Sequence, residues 1–223
     1  MAVTAHSTRG RPRGTSKRAL ELIAMRLFSE QGFDETTVEQ IAAAAGVSGR
    51  TFFRYFPSKA EVLWYQFDAE VDALRAAFAT VDPDIPLMTA VRRVVVNANR
   101  YRAEDVPELR TRMQLVATVP ALAATAGAHY DAWERTVSSF AAARLGQPED
   151  ALIPMAVGRT TLAAARAAFD AWLTRADTDL TVYLDEVLAA LEHGFAPPPG
   201  TGGDRRHDAT ARPGGFDGTT AGV

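Results

Sequence analysis

Apolar side chains recur along this chain at helical spacing, with essentially no run of the strict alternation that marks a half-buried strand. Between residues 16 and 31, Leu20, Ile23, Ala24, Leu27 and Phe28 fall at i, i+3, i+4, i+7 and i+8, one stripe of a helix. Ser16 is placed to cap its start, and Gly32 to take the left-handed position just past its end. Shorter helices are predicted over 37–44 and 48–56. A longer one begins at Ser58, where Ser58 and Glu61 match a capping box, and runs to about Thr80, before Asp82-Pro83-Asp84. Beyond it, Pro86, Pro107, Pro120, Pro148 and Pro154 punctuate alanine-rich stretches, as prolines do in first helical turns. This predicts helices near 86–102, 107–116, 120–145, 148–175 and 179–195. The last repeats Leu180, Tyr183, Leu184, Val187, Leu188 and Leu191 at three-and-four spacing. The expected fold class is all-α.

With 223 residues, 47% hydrophobic and 23% charged, the composition is that of a soluble globular protein long enough to bury a core. No apolar run reaches the ~20 residues of a membrane span, and no secretory leader is visible. The chain has no cysteine, which excludes disulfides, thiolate metal sites and cysteine nucleophiles, and fits a reducing, cytoplasmic setting. The net charge of −3 conceals an asymmetry: residues 1–59 hold nine Lys/Arg against five Asp/Glu, while the rest is acidic. A positive first quarter on an acidic body points to a polyanion at one end. Residues 197–223 hold seven of the sixteen glycines and four prolines, and are expected to be disordered.

Residues 37–59 carry the functional signal. Thr37 and Gln40 form a second capping box, and Ile41 with alanines 42–45 leaves room for another helix to cross closely. Gly46 suits the positive φ of a tight turn, Val47 plugs the angle, Ser48 caps the next helix, and Pro57 stops it. Two short helices joined this way give helix-turn-helix geometry. At ~100° per residue, Arg50 and Arg54 share one face of the second helix and Phe52 and Phe56 another. The phenylalanines anchor it to neighbouring helices, and the arginine face is free to enter a major groove of double-stranded DNA. Gly49 allows close backbone approach, and Arg50 is suited to guanine O6/N7. Thr51, Tyr55 and Lys59 are placed as phosphate contacts, and Thr37, Ser48 and Arg54 complete the candidate DNA-binding set. Arg9, Arg11, Arg13, Lys17 and Arg18 form a basic arm suited to phosphates or the minor groove.

Residues 18–64 resemble the N-terminal domain of the TetR (tetracycline-repressor-like) family of bacterial regulators. The resemblance rests on Phe28 to Thr37, matching F-x-x-x-G-F/Y-x-x-T-T, and on Ile41 to Lys59, matching I-A-x-x-A-G-V-S-x-x-T-F/L-x-x-Y/H-F-x-x-K. It departs at Phe53, where the family commonly has tyrosine, so a phosphate contact from that hydroxyl is missing. The resemblance implies a three-helix DNA-binding domain, a C-terminal helical ligand-binding and dimerisation domain, and a homodimer. Domains are then expected as a basic flexible arm at 1–15, the helix-turn-helix domain at 16–60, the regulatory and dimerisation domain at 61–196, and the tail at 197–223. Arg112-Met113-Gln114-Leu115 leading to Pro120-Ala121-Leu122 is similar to the C-terminal domain of mycofactocin-type, acyl-CoA-responsive regulators.

That similarity implies a cavity among the helices of 107–175 for a small apolar effector such as an acyl-CoA. Met113, Trp133, Phe169 and Trp172 are its candidate lining, and Arg110 or Arg112 would meet anionic groups. Helices 148–175 and 179–195, with alanines 163–165, 167 and 168, are the expected dimer surface. A twofold dimer predicts a palindromic operator. The function expected is repression relieved by the effector, whose binding moves the 58–80 helix, taken as continuous with the recognition helix. The alternative is a DNA-binding regulator controlled by a protein partner or by no ligand. An enzyme is not expected: His6, His129, His193 and His207 are scattered without metal-ligand spacing, and no phosphate loop or nucleophile motif is present, so no metal or cofactor is expected.

Overall fold

The computed structural model describes residues 15–175 and 177–194; the expected basic arm, apart from Thr15, and the expected 197–223 tail lie outside them. Among the described residues the chain forms nine α-helices and one 3-10 turn, with no strand. They are α1 (Lys17–Gln31), α2 (Val38–Ala44), α3 (Gly49–Tyr55), the 3-10 turn Ala60–Trp64, α4 (Tyr65–Phe78), α5 (Leu87–Ala98), α6 (Val106–Thr118), α7 (Pro120–Leu145), α8 (Leu152–Arg175) and α9 (Leu180–Glu192).

The ends of these helices follow local chemistry. Ser16 Oγ accepts from Ala19 N at 3.0 Å, and Ser48 Oγ from Thr51 N at 3.2 Å. Thr37 and Gln40 complete a reciprocal capping box, at 3.1 and 2.7 Å. After α2, Gly46 (φ 68°) donates to Ala43 O and Val47 to Ala42 O, the paired bonds of a Schellman turn that only a positive φ closes. Pro107 lies in the first turn of α6, Pro120 begins α7, and Pro86 directly precedes α5.

Several expected boundaries shift, among them the end of the helix expected over 86–102, which stops at Ala98. The helix expected over 58–80 starts as the 3-10 turn, because only half of its capping box forms. Glu61 N donates to Ser58 Oγ at 3.3 Å, while the Glu61 carboxylate is drawn to His129 Nε2 at 3.1 Å. Nor is it continuous with α3, since Phe56 is extended (φ −134°, ψ 130°) ahead of Pro57. The helix expected from 148 starts at Leu152, with Pro148 O accepting from Ala151 N in a turn before it.

Two main cores result. The first belongs to the N-terminal head: Leu20, Ala24, Phe28, Ile41, Phe52 and Phe56 pack with Val62 and Leu63 of the 3-10 turn and with Leu122 of α7. Within it α1 is rotated from the expected stripe. Leu20, Glu21, Ala24, Met25 and Phe28 are buried, and Ile23 and Leu27 only partly so. The second core lies in the body, where α4, α5, α7, α8 and α9 bury Val71, Leu74, Val91, Val95, Val137, Trp172, Leu184 and Leu188. The long helices α7 and α8 pack closely at Gly158, where an added Cβ would clash with Ser138 Oγ and lie 2.6 Å from Glu134 O. The backbone oxygen cannot step aside. Gly158→Ala is therefore expected to lower the unfolding free energy by about 1–3 kcal/mol in urea titration, and an unchanged midpoint would refute the tight crossing.

Candidate nucleic-acid interface and effector cavity

The second helix of the turn motif, α3, has two unlike faces. Phe52 is fully buried and Phe56 nearly so, their ring centroids 5.6 Å apart, and they tie α3 to α1 and to the 3-10 turn. On the outer side Arg50, Phe53 and Arg54 are exposed, Phe53 by 54%. Arg50 makes no hydrogen bond or ion pair with any described residue. A Cβ at Gly49 would meet only Glu39 Oε1, at an ordinary 3.8 Å, so packing does not demand glycine there. Thr37 and Ser48 are exposed at the starts of α2 and α3, with their hydroxyls engaged in the caps, and Ser48 Oγ lies 3.1 Å from Thr51 Oγ1.

Two of the expected phosphate contacts are engaged inside the head. Lys59 Nζ donates to Phe33 O at 2.6 Å and Thr36 O at 2.8 Å, with the ammonium 4.1 Å from the Phe33 ring centre. The Tyr55 hydroxyl donates to Thr15 O at 3.2 Å, and the Arg54 guanidinium lies 5.2 Å from the Tyr55 ring. Of the expected arm, Lys17 and Arg18 lie within α1, and Arg18 is paired with Glu21 at 2.8 Å and Glu108 at 2.7 Å. Arg9, Arg11 and Arg13 lie outside the described residues.

A cavity of about 260 Å³ opens among α4, α6, α7 and α8. Of the candidate lining residues, Met113, Trp133 and Phe169 stand in its wall and Trp172 stands outside it. Three residues on from Phe169, it turns into the core against a smaller recess of about 90 Å³ with Leu180. Arg110 is likewise removed from the large cavity: its guanidinium stacks 3.8 Å from the Trp172 ring centre and donates to Trp172 O at 3.1 Å. The walls include aromatic residues that sequence reasoning missed, Trp64, Phe67, Tyr130 and Tyr101. Trp64 is fixed by a bond from Nε1 to Thr125 Oγ1 (2.8 Å) and by stacking on His129, centroids 4.6 Å apart; His129 Nδ1 in turn meets Asp68 at 2.7 Å. The helical spacing of Trp64, at the end of the 3-10 turn, with Phe67 and Leu74 of α4 was available but reads equally as core.

The polar part of the wall is Glu70, Tyr101, Asn99, Arg112 and, on α8, Arg166 with Asp170. Burial pushes the Glu70 carboxyl above its ordinary range, an effect that the Arg112 guanidinium partly offsets. Burial and then Glu70 push the Tyr101 phenol well up. Arg112 is 5% exposed, so it is no surface pair. Its Nη2 lies 2.9 Å from both Glu21 and Glu108, and donates to Gln66 Oε1 at 3.1 Å. Glu21 itself is fully buried.

Comparison with known proteins agrees with this geometry. Residues 23–64 match the model for bacterial regulatory proteins of the tetR family, and residues 85–196 match the MftR C-terminal domain. The chain belongs to the TetR family. It is 32% identical to the mycofactocin biosynthesis transcriptional regulator MftR of Mycobacterium tuberculosis, across 83% of this chain and 92% of that protein. It is 34% identical to the transcriptional regulator TcmR of Streptomyces glaucescens, across 83% and 89% of the two chains. Among solved structures it is similar to Thermus thermophilus FadR, a TetR-family transcriptional repressor in complex with lauroyl-CoA. That likeness has 25% identity and a TM-score of 0.54, covering 83% of this chain and 100% of FadR. This TetR-family chain is thus a DNA-binding transcriptional regulator, with an N-terminal helix-turn-helix head and a helical C-terminal domain of MftR type.

In this TetR-family head the internal bonds of Lys59 separate folding from recognition. Lys59→Ala is expected to lower the unfolding free energy by about 2 kcal/mol, the usual scale for charge-assisted bonds to partly buried carbonyls. Arg50→Ala and Gly49→Ala are expected to leave it undiminished. Urea unfolding followed by circular dichroism decides, and a stable Lys59→Ala would show the staple to be idle.

Proposed function

We propose that the protein is a dimeric repressor that leaves a palindromic operator when a small apolar effector fills the cavity. The observation that carries the DNA part is the two-faced α3, whose Arg50 and Arg54 are exposed while Phe52 and Phe56 hold the helix in place. In this reading Arg50 donates to guanine O6/N7, and Gly49 lets the backbone come close. Thr37, Ser48, Thr51 and Arg54 lie along phosphates, and Tyr55 joins them by exchanging its bond to Thr15 O for a phosphate oxygen. Lys59 contributes through long-range charge, its ammonium being held by Phe33 and Thr36. Phe53 offers a ring but no hydroxyl.

The dimer surface is the outer side of α8 and α9. Ala163 and Ala167 are exposed there, with Leu152, Ile153 and Val182, whereas Ala164, Ala165 and Ala168 are spent inside the protomer. Two copies would present their α3 helices one DNA turn apart. The cavity favours a small-molecule effector over control by a partner protein alone, since its walls are mainly apolar and aromatic with a few convergent polar groups. Lauroyl-CoA in the FadR complex supports an acyl compound as the effector class. Such a regulator acts in the cytoplasm, and among the described residues no helix is long and apolar enough to cross a membrane.

Selection of duplexes from fragmented genomic DNA tests this reading. The expected yield is an inverted repeat with half-sites about 34–36 Å apart. On it, Arg50→Ala costs about 1–3 kcal/mol and relaxes the base preference at one position. Single, unrepeated sites would refute the dimer on DNA, and an Arg50→Ala variant that selects the same sequence would remove Arg50 from base reading.

A further inference from the structure

Among the described residues two buried side-chain atoms lack a hydrogen-bond partner, Arg112 Nε and Glu21 Oε1, and they belong to one ion pair. Glu21 Oε1 lies 2.9 Å from Arg112 Nη2, close enough for charge but not aligned for a hydrogen bond. Arg112 is 5% exposed and is one of the residues that line the cavity, and its guanidinium is committed on its Nη2 side to Glu108 and Gln66. A buried N–H without an acceptor costs about 1–3 kcal/mol, so an acceptor brought to it is strongly favoured. Charge decides what kind of acceptor. Arg18 and Arg112 face Glu21 and Glu108, two cations against two anions, and Glu70 adds a third carboxyl at the cavity wall. A further carboxylate beside Arg112 would be a third anion there, with two cations to answer it and the Glu70 carboxyl close by.

We propose that Arg112 is the residue that recognises the effector, and that its Nε–H takes a neutral carbonyl oxygen, as in an ester, thioester, amide or ketone, borne on an apolar body. The inference deepens the reading of the cavity as an effector site and rests on it. The same guanidinium holds Glu21 on α1, so a carbonyl that re-aims it alters the grip of α6 on the head. Arg112 thereby serves both as the specificity residue of the cavity and as its connection to the DNA-binding end. Apolar molecules without an acceptor fill the cavity without drawing on that connection.

The test uses three probes of closely similar length on the full chain: methyl 4-phenylbutanoate, 4-phenylbutanoate and n-hexylbenzene. Binding is read from tryptophan fluorescence, since Trp64 and Trp133 line the cavity, and from the shift of the thermal midpoint. The ester is expected to bind about tenfold or more tighter than either the hydrocarbon or the carboxylate. Arg112→Lys keeps a cation beside Glu21 but puts a methylene in place of Nε. There the ester's advantage over the hydrocarbon should fall within about twofold. Glu21→Gln, which tests the link without altering Nε, should retain the ester's preference. It should also abolish the roughly 5- to 150-fold weakening of duplex binding that the ester causes in the wild type.

Equal binding of ester and hydrocarbon, or an ester preference that survives Arg112→Lys, overturns the recognition role. A carboxylate that matches the ester overturns the neutral class and marks Arg166 as its partner. Ester-induced release that persists in Glu21→Gln overturns the link to α1. Failure of all three probes to bind is a distinct result, which overturns the effector-site reading together with the inference.

Discussion

The structure turns on a buried knot of charge between the first helix and the sixth. Glu21 and Arg112 are 91 positions apart in sequence, and neither is tenable in an apolar interior without the other. Arg18 and Glu108 close the knot at its rim. Because Glu21 lies inside the head's core and Arg112 in the cavity wall, the position of one cannot be set without setting the other. The apolar packing of Leu115, Val119 and Leu122 on the head adds area to this junction, but area has no preferred register. The ion pairs supply that register.

Such a junction is not a natural choice for stability alone. Well-packed apolar side chains of the same volume commonly serve as well or better, since desolvation offsets much of the Coulomb attraction. What buried charges offer is discrimination: a small displacement of one partner is felt sharply by the other. That property suits a protein whose cavity and DNA-facing helix must respond to each other, while the body behind them, locked at the Gly158 crossing, stays fixed.

The parts legible in the sequence are those determined within a turn of the residue concerned. Ser16, Thr37 with Gln40, Gly46 and Ser48 announce helix ends because capping is local chemistry, and the structure forms each one. The inward Phe52 and Phe56 and the outward Arg50 and Arg54 follow from helical phase alone. What was hidden depends on partners far along the chain. Glu21 reads as a solvated carboxylate until Arg112 arrives, although its register with Ala24, Met25 and Phe28 shared the buried face. Lys59 resembles a phosphate ligand until the carbonyls of Phe33 and Thr36 curl back on it. Trp172 and Phe169 sit one short helical step apart, and only the placement of α9 sends one to the core and the other to the cavity.

The 3-10 turn at Ala60–Trp64 gives the join between head and body a particular mechanical character. Wound at three residues per turn rather than 3.6, its five residues span about 2.5 Å more and rotate about 100° further than the same stretch of α-helix. Val62 and Leu63 at one end are fixed in the head, and Trp64 at the other stands in the cavity wall. Relaxation of that overwound segment would therefore shorten the join and twist α4 about its own axis at once.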